Sequence, residues 1–174
     1  MKLWLLIFLS LPMFAQGRTL EGMTIPDTMS IEGNEHKLQA AGVRKATIFG
    51  IKVFTLAFYN KTLSLMEKPF CFEFTYFRDF SNSQVDEAWD FQFNESNEFK
   101  YPELATDLTR LKEFLGEIKG ERKQTFIFSG NTIKVYENGQ LKGEIQSENF
   151  QKSFISLWIG EKSPVSQFKT ELKK

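Results

Sequence analysis

Phe70-Cys71-Phe72-Glu73-Phe74-Thr75-Tyr76-Phe77, followed a few residues later by Ser81-Asn82-Ser83-Gln84-Val85, is the stretch that decides the fold. In the first segment the aromatic residues fall on alternate positions, the spacing of a strand with one face buried. In the second the period changes. Ser81 and Gln84 form a capping box, and Val85, Ala88, Trp89 and Phe91 to Phe93 follow at helical spacing.

Upstream the chain reads as strands over 28–31, 37–42, 44–49 and 51–60, with Gly33-Asn34 and Gly50 as turn or bulge signals. Downstream, Pro102 is a first-turn proline of a second helix whose apolar face is Leu104, Leu108, Leu111, Phe114, Leu115 and Ile118, ending at Gly120. Strands return over 124–128, 132–136 and 141–145, joined at Gly130-Asn131 and at Asn138-Gly139, a strong type I′ signal. Ser147 then caps a helix carrying Phe150, Phe154, Leu157 and Trp158, and Ser163-Pro164 opens the last one. Strands, two helices, a hairpin set and two more helices describe an α+β domain, an antiparallel sheet with helices packed on one face.

The first residues stand outside that domain. Lys2, the apolar run from Leu3 to Phe14 and the small residues after it read as a secretory signal peptide, the run being shorter than the ~20 residues of a membrane-spanning helix. Cleavage fits after Gly17, with Ala15 the second choice, so residues 1–17 are assigned to the signal and 18–174 to a single domain. The expected location is periplasmic or secreted, with no transmembrane segment in the mature protein.

Without Lys2 the 22 basic residues become 21, against 22 acidic ones, a net charge of about −1. The two signs are interleaved, so no basic stripe marks a nucleic-acid surface. The lone Cys71 makes no internal disulfide and reads as a buried thiol. The single histidine, His36, sits in a polar turn and is expected to be exposed; one histidine does not supply the converging ligands of a metal site, and neither metal nor cofactor is expected. The 19 phenylalanines, among them Phe49, Phe54, Phe58, Phe70, Phe72, Phe74, Phe126 and Phe128, describe a wide aromatic core, a greasy cavity, or both.

Arg44 is the residue that asks for a partner. It follows Ala40-Ala41-Gly42-Val43 and precedes the apolar run Val53 to Tyr59. A guanidinium stays charged, and its burial is costly unless an anion meets it. An internal carboxylate and a bound ligand anion are the two candidates.

Ala41-Gly42-Val43-Arg44 with Gly50-Ile51-Lys52-Val53-Phe54-Thr55-Leu56-Ala57-Phe58-Tyr59 resembles the first block of the chalcone isomerase family, an A-G-[VIL]-R turn feeding a long strand. Arg78-Asp79-Phe80-Ser81, Asn138 to Ile145, and Phe150 through Leu157-Trp158-Ile159-Gly160 to Ser163-Pro164-Val165-Ser166 resemble later blocks of its bacterial, exported branch. The resemblance runs from about Leu20 to Leu172. It implies an open-faced β-sandwich, a large antiparallel sheet with a helical layer and a cleft between them.

It also implies roles. In the plant enzymes of this family the arginine matched by Arg44 contacts a substrate phenolate; in the non-catalytic fatty-acid-binding members it anchors a carboxylate. Thr55 lies near a family strand position, one residue closer to the arginine, and Ser166 matches a position that is threonine in the enzymes. The catalytic tyrosine position holds Phe80, and the asparagine position falls near Glu87 and Ala88. The resemblance therefore implies a binding protein for a small apolar anion such as a fatty acid, with Arg44 as anchor and Thr55, Tyr59 and Ser166 as further ligand contacts. An isomerase or intramolecular lyase acting on a chalcone-like enone, again through Arg44, is the alternative. An envelope protein with its cleft filled by its own side chains is the third.

Overall fold

The computed structural model describes residues 17–46, 49–62, 67–96 and 103–172; residues 1–16 of the expected signal segment 1–17, and Pro102, lie outside them. Seven antiparallel strands follow one another in the sheet in chain order: β3 (Thr28–Ile31), β4 (Asn34–Ala46), β5 (Ile51–Asn60), β6 (Phe70–Tyr76), β7 (Lys123–Ser129), β8 (Thr132–Glu137) and β9 (Gln140–Gln146). A separate hairpin, β1 (Gly17–Leu20) and β2 (Met23–Pro26), precedes them. Helices α1 (Asn82–Ser96) and α2 (Leu104–Leu115) interrupt the meander between β6 and β7, and α3 (Glu148–Ile159) and α4 (Ser166–Glu171) follow β9.

Alternation sorts the side chains as expected. Phe70, Phe72 and Phe74 of β6, with Phe126 and Phe128 of β7, point to the helical side and pack with Val85, Trp89 and Phe93 of α1, Leu111 and Leu115 of α2, and Phe150, Phe154 and Leu157 of α3. Phe154 is the hub: its ring centroid stands 4.8 Å from that of Phe126, 5.5 Å from Phe128 and 5.5 Å from Trp89. A buried phenylalanine contributes about 1.5–3 kcal/mol by leaving water, so this layer supplies the main drive for folding.

The sheet's other face is not wholly open. Ala41, Ala57, Tyr59 and Cys71 are buried there with Ile25 of β2 and Ile31 of β3. The β1–β2 hairpin turns at Glu21 and Gly22, both at positive φ (52° and 97°). Arg18 of β1 pairs with Glu171 of α4, and Glu171 Oε2 also accepts the amide of Ala41 at 3.0 Å. That carboxylate satisfies an edge of β4 that β3, paired only with residues 34–37, leaves uncovered.

Several expectations need correction. The strands expected at 37–42 and 44–49 run together as β4 as far as Ala46, residues 47–48 lying outside the described residues and Phe49 in a turn; Gly42 is not a turn but the place where α4 lies on the sheet. The second helix ends at Leu115, because Gly116 at φ 56° breaks it, so Ile118 leaves the helix and instead exchanges backbone hydrogen bonds with Phe80 (2.8 and 2.9 Å). His36 is fully buried, with Nδ1 3.0 Å from the Asn34 carbonyl and Nε2 3.0 Å from that of Pro69. Phe49 is 84% exposed and not core.

Candidate functional site

A cavity of about 280 Å³ lies between α1 and the sheet, near the open end of the β4–β5 hairpin. Arg44 and Ala46 of β4, Val53 and Phe54 of β5, and Phe74 and Tyr76 of β6 supply the sheet side. Gln84, Val85, Ala88, Trp89, Phe91 and Gln92 of α1 face them, and Phe80, Ile118, Trp158 and Pro164 complete the wall. The walls are chiefly aromatic and aliphatic. Among the described residues none that lines it carries a carboxylate.

Local structure explains why these groups converge. The reciprocal capping box fixes the start of α1: Gln84 Oε1 accepts the Ser81 amide at 3.0 Å, and Ser81 Oγ accepts the Gln84 amide at 3.4 Å. This sets the helix so that Val85, Trp89 and Phe93 enter the core. Phe54 stacks edge-on against Phe74 (5.2 Å), Tyr76 (5.7 Å) and Trp158 (5.9 Å), building the floor. Tyr76 is held by a buried hydrogen bond to Gln124 Oε1 (2.7 Å), and burial pushes its phenol above the usual range.

Among the described residues Arg44 is the only cation in the wall. It is partly buried and points to the helical side, opposite Phe54 in register. Its Nη1 donates to the Lys45 carbonyl at 3.0 Å and to the Pro164 carbonyl at 3.5 Å. Among the described residues no carboxylate pairs with it, and burial alone lowers its pKa. The internal salt bridge weighed as its alternative partner is therefore not found.

The other expected contacts lie elsewhere. Thr55 and Tyr59 alternate with Phe54, Leu56 and Phe58, so they occupy the opposite face of β5. Tyr59 is buried under the β1–β2 hairpin, its hydroxyl donating to the Pro26 carbonyl at 3.0 Å. Ser166 is exposed at the start of α4 and does not border the cavity; from that segment Pro164 does. Arg44 is thus the one expected contact at the cavity. Phe80, at the position of the enzyme's tyrosine, and Ala88, one of the two residues near that of its asparagine, do border it, as groups with no polar atom on the side chain; Glu87, the other, is not among its lining residues. Tyr76, Trp89, Phe91 and Trp158 were not foreseen as lining; strand alternation from Phe74 and the i, i+4 spacing in α1 were the available signals.

The family model described as chalcone isomerase-like matches residues 17–173. The chain belongs to the chalcone isomerase-like family. No protein of curated description matches it in sequence. Among solved structures, a fatty-acid binding protein of Arabidopsis thaliana is similar with a TM-score of 0.75 and 13% identity, over 90% of this chain and 95% of that one. At that identity the likeness establishes the shared architecture, an α+β fold with a large curled antiparallel sheet covered by helices, as the sequence blocks implied.

Proposed function

We propose that this chalcone isomerase-like protein is a non-catalytic carrier of an apolar carboxylate, a fatty acid or a related acid, with Arg44 as its anion anchor. One observation carries the reading: a partly buried guanidinium with no carboxylate partner among the described residues borders an aromatic cavity. A bound carboxylate would offset the cost of burying Arg44 and accept charge-assisted hydrogen bonds from it. The fatty-acid binding activity named for the structurally similar Arabidopsis protein supports the same ligand class.

The cavity's 280 Å³ bounds the ligand. At about 30 Å³ for each water-sized group, it holds on the order of nine such groups. Medium-chain acids fit within it, and longer chains would extend past Phe91 into the mouth. Each buried CH₂ contributes about 0.8 kcal/mol, so affinity should climb with length and then level off.

The isomerase alternative needs groups that polarise a ketone and orient water. Phe80 offers none at the tyrosine position, and of Glu87 and Ala88 near the asparagine position only Ala88, with no polar atom on its side chain, lines the cavity; the open cavity argues against a cleft filled by its own side chains. Export as a periplasmic or secreted protein belongs to the same proposal, and cleavage after Ala15 or after Gly17 leaves the Arg18–Glu171 pair in place. The deciding experiment is calorimetric titration with saturated acids of increasing length, beside mass spectrometry of lipid extracted from purified protein. Saturable binding of the acid but not of the matching alcohol is expected. Binding of neither, or turnover of a chalcone above its spontaneous rate that Arg44→Ala abolishes, would overturn the reading.

A further inference from the structure

We propose that the end of the β4–β5 hairpin, together with Phe91, docks the protein on an anionic lipid bilayer at the mouth of the cavity. Phe49, in the connection between the two strands, is 84% exposed; Ile51, the first residue of β5, is 39% exposed and Phe91 63%. Among the described residues the only other large apolar side chain as exposed as these is Leu141 of β9. Phe49, Ile51 and Phe91 share a location: Ile51 pairs with Ala46, which lines the cavity, and Phe91 lines the same cavity from α1. Exposed aromatic groups at an opening are what an amphipathic surface presents to the boundary of headgroups and acyl chains.

Charge selects the partner. From His36 to Met66 the chain carries Lys37, Arg44, Lys45, Lys52 and Lys61 and no Asp or Glu. Three of these cations flank the hairpin end. Lys45 and Lys52 share one carboxylate, that of Glu21, at 2.6 and 3.0 Å, so with Arg44 the end keeps an excess of positive charge. On α1 the cavity-side residues Gln84, Ala88, Phe91 and Gln92 are uncharged, and Asp90 is engaged by Lys112 of α2 at 2.7 Å. Half-buried Asp86 and the exposed Glu87 and Glu95, the last two four residues before and after Phe91, are acidic, so the positive charge lies on the hairpin side of the mouth. The basic, apolar end of the hairpin fits a surface bearing negative headgroups, because Lys45 and Lys52 are drawn by its potential while Phe49 and Ile51 enter its apolar boundary, with Phe91 entering beside them. Docked in this way, the cavity would open toward the phase in which an apolar carboxylate resides. That purpose rests on the proposed ligand; the docking chemistry does not.

Co-sedimentation of the ligand-free protein with vesicles tests it, using phosphatidylcholine alone and phosphatidylcholine mixed with phosphatidylglycerol. Binding to the mixed vesicles, several-fold weaker on phosphatidylcholine and in high salt, is expected. The double variant Phe49→Ser, Phe91→Ser should bind about tenfold more weakly, and Lys45→Glu with Lys52→Glu should lose the preference for phosphatidylglycerol. These positions are exposed, so unchanged circular dichroism will show that the variants fold. No vesicle binding, binding unaffected by both double variants, or a dimer in solution that Phe49→Ser, Phe91→Ser dissolves would each overturn the proposal. Because no free carboxylate is present, failure here leaves the cavity's ligand to its own titration.

Discussion

A Cβ placed on Gly42 would stand 2.8 Å from the backbone nitrogen of Phe168 and 2.7 Å from Cγ1 of Val165. Helix α4 therefore rests on the bare backbone of β4, two residues from Arg44. Gly143 of β9 repeats the device, lying 2.4 Å, measured from such a Cβ, from the ring of Phe114. Gly42→Ala should destabilise the protein by about 1–3 kcal/mol through overpacking. Its urea midpoint should fall with little change in slope.

Arg44 is expected to divide binding from stability. With no carboxylate among the described residues to leave behind, Arg44→Met should keep or slightly raise the unfolding free energy. Carboxylate affinity should fall by about tenfold or more, since a hydrogen bond to a charged group is worth about 1.5–3 kcal/mol. Thermal melts with and without a medium-chain acid check both halves: the acid should raise the wild-type midpoint and leave that of Arg44→Met nearly unmoved.

Alkaline pH should unfold the protein. Burial raises the pKa of Tyr59, Tyr76 and Cys71 above their ordinary values of 10.0, 10.0 and 9.0. The unfolded chain then loses these protons at lower pH than the folded one. Their stabilising contribution is complete below about pH 8 and declines as pH rises through 9 to 11 and beyond. Urea titrations across that range should show the decline, with Tyr59→Phe and Tyr76→Phe each flattening it. A thiol reagent should label Cys71 only where unfolding is populated.

Helix α3 depends on its cap. Ser147 Oγ accepts the amide of Phe150 at 3.1 Å, at the head of the helix that carries Phe154. Ser147→Ala should cost about 1 kcal/mol. Ser81→Ala, at an exposed cap with a longer 3.4 Å bond to Gln84, should cost less. Chemical denaturation of the two variants side by side is the measurement.

Much of this architecture was legible in local pattern. The strand alternation of Phe70 to Tyr76, the capping residues Ser81 and Ser147, and the Asn138-Gly139 turn, whose φ values are 48° and 80°, each report a preference of a few neighbouring residues. The misreadings arose where a residue's role is set from a distance. Gly42 resembles a turn until α4 is seen lying on it, and His36 resembles an exposed polar residue until the carbonyl of Pro69, far along the chain, meets its ring.

The candidate site divides in the same way. Composition and motif singled out Arg44 as a charge in need of a partner, because the cost of burying a guanidinium is a property of the residue itself. Thr55 and Tyr59 were drawn to it by proximity in sequence, yet the pleat turns them to the opposite face. Local sequence determined the period of each element, its caps and its tight turns, since these are settled within a few residues. Only the tertiary structure decided which face of β5 meets α1, what Arg44 does not touch, and how much space lies beside it, because those follow from contacts between segments that the chain brings together only when folded.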